Sequence, residues 1–205
     1  MAGLFLGLIY LWLEYKANIW LWLVSIIMPI VHGYLYYARG IYADFAMEAY
    51  YVAIAVYGWA VWRFNDNPRS KNSRQRPITH TPKHIYPYIL AAIVLLWAVG
   101  YFILTHFTDS KVPVIDSLTS AISMVAMWTL ARKYVQQWLL WLVVDAISAA
   151  LYVYKQIPFT AALYAFYTVI AVLGYRRWTK QAEVSQGKRC TPVHRDFMRR
   201  GRVGE

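Results

Sequence analysis

Long apolar blocks separated by short polar breaks run through most of this chain. The blocks fall at residues 2–15, 17–38, 43–64, 85–107, 114–131, 134–154 and 159–178. They are apolar nearly all round, unlike the one-sided stripe of a surface helix in a soluble protein. About 20 such residues cross a bilayer core as a helix. Lipid offers the backbone no hydrogen-bond partner, so each block must pair its N–H and C=O groups internally, and only a helix does that. The pattern therefore predicts an all-α integral membrane protein with seven transmembrane helices. The stretch 65–84 carries Pro68, Pro77 and Pro82 and reads as a basic loop, and residues 179–205 read as a polar, basic tail. The first block is short: fourteen residues at about 1.5 Å each reach about 21 Å, against a core of roughly 30 Å. Either the bilayer thins there or the helix has a further turn upstream.

Composition sharpens this picture. The chain has 205 residues, of which 60% are hydrophobic and 15% charged, well below the roughly 25% charged of a soluble domain. A net charge of +11 raises the question of nucleic acid, and its distribution answers it. With the N-terminus outside, 18 of the Lys and Arg residues fall on cytoplasmic segments. Only Arg39, Lys111 and Lys155 fall outside. That asymmetry is the positive-inside signal. It predicts an external N-terminus and a cytoplasmic C-terminus, and basic residues that set topology and touch anionic lipid instead of binding nucleic acid. The single cysteine, Cys190, excludes a disulfide within the chain and a cysteine metal site. His80 and His84 stand four apart, but Pro82 between them breaks a helix, so no metal site is expected. The first block lacks a basic leader and a small-residue cleavage site, so it does not read as a signal peptide.

Sliding the chain against itself by 116 residues exposes an internal repeat. Trp22 meets Trp138, Leu35-Tyr36 meets Leu151-Tyr152, and Tyr51, Ala55, Gly58 and Trp62 meet Tyr167, Ala171, Gly174 and Trp178. Residues 1–64 thus form a first three-helix repeat and 114–178 a second, with 85–107 as a linker helix between them. Three helices lie between the first and the fifth, so those two cross the membrane in the same direction and the repeats run parallel, about an axis along the membrane normal. Solute sites in repeat-built transporters lie between the repeats near the midplane.

Two helical stripes carry the candidate chemistry. On the sixth helix Trp138, Trp141, Asp145, Ser148 and Tyr152 are spaced 3, 4, 3 and 4, which places them on one face. A carboxylate in mid-span is costly unless it faces a partner or a wet cavity, and here two indoles share its face. The third helix shows a like stripe, Glu48, Tyr51, Ala55, Gly58 and Trp62. Its repeat mate on the seventh is Tyr164, Tyr167, Ala171, Gly174 and Trp178. The glycines read as close-packing positions. Trp138, Trp141, Asp145, Glu48, Tyr51, Tyr164, Tyr167 and Trp178 are therefore the candidate substrate-binding residues. Aromatic faces with two acids suit a flat cation, through cation–π attraction and charge pairing.

The run Arg132-Lys133-Tyr134 through Trp138-Leu139-Leu140-Trp141 and Asp145 resembles the PnuC family of vitamin transporters. The segment Ile41-Tyr42-Ala43 through Tyr57-Gly58-Trp59 and Trp62 resembles that family's third helix, and Gly174 through Trp178 resembles the end of its seventh. The likeness runs from about residue 4 to residue 178. It implies two three-helix bundles around a linking helix, a homotrimer, and residence in the bacterial cytoplasmic (inner) membrane. It also implies facilitated diffusion of a vitamin that a cytoplasmic kinase then phosphorylates and traps, with no cofactor. Relatives of the nicotinamide riboside type carry Gln where Glu48 stands, Asn where Asp145 stands and Asn where Leu173 stands. These departures move weight toward thiamine, and nicotinamide riboside and thiamine both remain open. The alternatives are an intramembrane enzyme using Glu48 and Asp145, and a structural membrane protein. No nucleophile–base motif or phosphate-binding glycine loop accompanies the two acids.

Overall fold

The computed structural model describes residues 2–40, 42–64, 77–108 and 112–187. They form seven helices: α1 Ala2–Tyr15, α2 Leu21–Ala38, α3 Tyr42–Phe64, α4 Tyr86–Phe107, α5 Pro113–Ala131, α6 Gln137–Tyr154 and α7 Pro158–Gly187. Five of these, α2 and α4 to α7, are long and apolar enough on their own to cross a bilayer. The protein is an all-α integral membrane protein in which the parallel repeats α1–α3 and α5–α7 are joined by α4. That linker buries none of its side chains fully.

Helix limits differ from the apolar blocks where turns intervene. Residues 17–20 are a turn and α2 starts at Leu21, and residues 134–136 are a turn before α6. The largest departure is at the end of α7. The expected tail is helical from Thr179 to Gly187, and Ala182 is fully buried. Polarity excludes a residue from lipid, not from a helix, and Lys180, Gln181, Ala182 and Glu183 are all good helix formers. Residues 65–76 of the expected loop and 188–205 of the expected tail lie outside the described residues.

The repeat is built into the backbone. Shifted by 116, Leu21 and Ala38 fall on the two ends of α6, Tyr42 on the start of α7, and Tyr15 on the end of α5. Ala17 (φ 52°) and Lys133 (φ 55°) are repeat mates, and so are Gly40 (φ 72°) and Gln156 (φ 59°). Positive φ is uncommon for residues with a side chain, so its recurrence at matched positions marks the same two turns built twice.

Tryptophan pairs hold the repeats together. Trp22 packs on Gly58, and Trp138 on Gly174, so closely that a Cβ on either glycine would overlap the indole. Trp62 meets Trp22 edge-on at 5.4 Å, and Trp178 meets Trp138 edge-on at 5.8 Å. The Trp62 indole N–H donates to the Ala131 carbonyl (3.1 Å), and that of Trp178 to the Tyr15 carbonyl (3.3 Å). Ala131 and Tyr15 are themselves repeat mates. Each bond reaches from the third helix of one repeat to the end of the first helix of the other, so α5 docks on α3 and α1 on α7.

At the basic end of the bundle, which bears Lys16, Arg63, Arg132 and Lys133, the segment before α4 is strapped onto the α5–α6 turn. The Thr79 N–H donates to the Lys133 carbonyl (3.1 Å) and the Val135 N–H to the Thr79 carbonyl (3.0 Å). Gln136 Oε1 accepts from both the N–H and the hydroxyl of Thr81. Lys133 is buried with its ammonium 4.1 Å from the centre of the Trp62 ring.

Candidate substrate site

A cavity of about 350 Å³ lies between the repeats, lined by residues of α1, α3, α5, α6 and α7. Its α6 wall is the stripe set by 3- and 4-residue spacing: Trp138, Trp141, Asp145 and Ser148. Asp145 is buried, 8% exposed, and opens onto this space. The Trp138 position is fixed from behind by the Gly174 seat and the Trp178 edge. The indole N–H groups of Trp138 and Trp141 have no hydrogen-bond partner.

Tyrosines supply the remaining aromatic faces. Tyr51 on α3 and Tyr167 on α7 are repeat mates and both line the cavity, so the space straddles the repeat axis. Tyr164 lines it too and stacks on Tyr152 with ring centres 5.3 Å apart and planes 9° from parallel. The lack of a side chain at Gly7 on α1 brings the backbone near Tyr167, since a Cβ there would sit 3.3 Å from the Tyr167 hydroxyl. Thr119, Ser120 and Ser123 of α5 add hydroxyls. No Lys, Arg or His lines the cavity among the described residues.

Six of the eight residues expected from the sequence line this cavity: Trp138, Trp141, Asp145, Tyr51, Tyr164 and Tyr167. The structure does not bring the other two to it. Glu48 turns toward α2, where a carboxylate oxygen lies 3.7 Å from His32 Nδ1. Trp178 is fully buried behind Trp138, and its indole N–H is used by Tyr15. Its influence on the site runs through Trp138.

α1 supplies a further wall that was not expected from the sequence. Gly7, Tyr10, Leu11 and Glu14 face the cavity and are spaced i, i+3, i+4 and i+7, which is one helical face. That signal was present, but an acid one residue from the end of a short block looks like a boundary residue. Among the described residues no group of three or more His, Cys, Asp or Glu could hold a metal ion.

The cavity between the repeats is the candidate substrate site, and the family and fold make the protein a membrane transporter. The chain belongs to the nicotinamide mononucleotide transporter family, whose model matches residues 1–180. It is 22% identical over 202 residues to the nicotinamide riboside transporter PnuC of Escherichia coli, covering 88% of this chain and 84% of that protein. It is 28% identical over 179 residues to the riboflavin/roseoflavin transporter RibM of Streptomyces davaonensis, covering 87% and 83%. The crystal structure of the vitamin B3 transporter PnuC shares the fold, with a TM-score of 0.65 at 24% identity over 87% of this chain and 79% of that one.

Proposed function

We propose that the protein takes up a cationic vitamin with an aromatic ring, nicotinamide riboside or thiamine, by facilitated diffusion across the bacterial inner membrane. The observation that carries this reading is the company Asp145 keeps: two indoles and four phenol rings line the cavity with this buried carboxylate, with no basic side chain on the wall among the described residues. A ring cation entering there gains cation–π contact and a desolvated counter-charge together. A mononucleotide would bring a phosphate against buried acids with no cation to meet it, so the substrate is unphosphorylated. Riboflavin, suggested by the RibM relative, has a neutral ring and would leave Asp145 without a counter-charge.

In this reading the basic end of the bundle faces the cytoplasm, the N-terminus lies outside, and a cytoplasmic kinase traps the vitamin by phosphorylating it. The surface of α4, unburied within one chain, is left for lipid or for neighbours in a homotrimer. Calorimetric titration of the purified protein with thiamine, nicotinamide riboside, riboflavin and nicotinamide mononucleotide tests the proposal. Saturable binding of at least one of the two cations, with no binding of the mononucleotide, is expected. Binding of riboflavin or the mononucleotide in preference to both cations would overturn it.

A further inference from the structure

Glu14 is a second acid in the cavity, and the duplicated scaffold does not ask for it. Its repeat mate is Leu130, fully buried at the matching place on α5. Glu14 itself is 1% exposed and lines the same cavity as Asp145; its carboxyl neighbours the Gln137 amide and the Tyr10 hydroxyl, while its Oε1 has no hydrogen-bond partner. An unpartnered carboxylate oxygen is a costly thing to keep at a position where the same fold accepts leucine. A ligand that donates to it removes that cost.

Position along the bundle says which part of the ligand this is. Glu14 lies beside Gln137, the first residue of α6, and Asp145 stands eight residues further along that helix. The backbone rises about 12 Å from Gln137 to Asp145 at about 1.5 Å per residue, and the two acid side chains tilt toward each other across that span, close enough to interact electrostatically. Trp138 and Trp141 fall between them on the same wall. A ligand that meets both acids is therefore two-ended, with a flat body lying along the indoles.

Resting on the reading of the cavity as a vitamin-cation site, we propose that Glu14 is its second anchor. It accepts hydrogen bonds from the donor-bearing end of the substrate, while Asp145 holds the ring cation. The donors are N–H or O–H groups on an uncharged ring: the amino group of an aminopyrimidine in thiamine, or the hydroxyls of the ribose in nicotinamide riboside. Glu14 thus sets the length of substrate the site accepts, and short ring cations bind through Asp145 alone.

Whole and truncated ligands separate the two anchors. Thiamine and nicotinamide riboside are titrated against wild type, Glu14→Leu, Glu14→Gln and Asp145→Asn. Displacement titrations are run with N-methylthiazolium and 1-methylnicotinamide, which lack the pyrimidine and the ribose. Glu14→Leu installs the residue of the matching scaffold position, and the expected result is a loss of at least tenfold for the whole vitamin. The truncated cation should bind within twofold of wild type, which also shows that the variant is folded. Glu14→Gln should show the same selectivity with a smaller loss, and Asp145→Asn should weaken whole and truncated ligands alike. The vitamin that loses affinity at Glu14 identifies which donor end it reads. Equal losses for whole and truncated ligands in both Glu14 variants, or no loss for either, would overturn the role of Glu14 while leaving the cation site standing. If wild type binds none of the four ligands, the vitamin-cation reading falls and the second anchor falls with it.

Discussion

The two repeats share a skeleton and differ in what they present to the cavity. Both seat a tryptophan on a glycine, Trp22 on Gly58 and Trp138 on Gly174, and brace it with a second, Trp62 and Trp178. Both tether that brace to the end of the opposite repeat's first helix. The cavity face breaks the match. Where α6 has Trp141, Asp145 and Ser148, α2 has Ser25, Pro29 and His32; where α7 has Tyr164, α3 has Glu48. Pro29 has no N–H and no polar side chain, and the Ser25 hydroxyl is used by the Leu21 carbonyl (2.9 Å). Duplicated residues therefore hold the bundle together, while most of the residues that line the cavity are unduplicated; Trp138, the mate of Trp22, is a duplicated residue that lines it too. Tyr51 and Tyr167 belong to both groups, being repeat mates that both line the cavity.

That division can be broken at the tryptophans, where the largest effect is expected. Trp138→Ala removes an aromatic wall and should cost about 1–3 kcal/mol of vitamin binding, the range for losing a desolvated aromatic contact. Trp22→Ala should lower the thermal midpoint as much as Trp138→Ala does, yet leave affinity within about threefold, a change of roughly 0.6 kcal/mol. Calorimetry and thermal denaturation on the same detergent-solubilised samples read both. Equal affinity losses at the two tryptophans would mean that both act through packing alone.

The glycine seats sharpen the contrast with a smaller change. Ala in place of Gly58 or Gly174 forces an indole off its seat, an overpacking cost of about 1–3 kcal/mol. Both variants should be destabilised to a similar extent in thermal melts. Gly174→Ala should also weaken binding, because the indole it displaces lines the cavity, whereas Gly58→Ala should not. A matched loss of affinity in the two variants would place the site symmetrically on the axis.

The helices were legible because lipid admits almost no other backbone arrangement, and the repeat because bulky pairs such as Trp22 and Trp138 recur at one fixed offset. The α6 stripe was legible for a related reason: a mid-span acid such as Asp145 has few physical excuses. Glu48 misled because its stripe is shared with Tyr51, yet its carboxylate is drawn aside toward His32. Trp178 misled because one face of a helix can hold a wall residue and the residue behind it, and spacing does not distinguish depth. Glu14 stayed hidden because its importance depends on α1 crossing to the other repeat, a tertiary fact that no pattern within α1 records.

The account rests on Asp145 acting as counter-charge to a ring cation, and one calorimetric comparison addresses this directly. Nicotinamide riboside and its neutral dihydro form have nearly the same shape and differ in ring charge. Each is titrated against wild type and Asp145→Asn, which keeps the side chain's size and hydrogen-bonding reach. Wild type should prefer the cation by at least about tenfold, or 1.4 kcal/mol, and Asp145→Asn should lose most of that preference. Equal binding of the two forms by wild type, or a preference that survives the substitution intact, would contradict it.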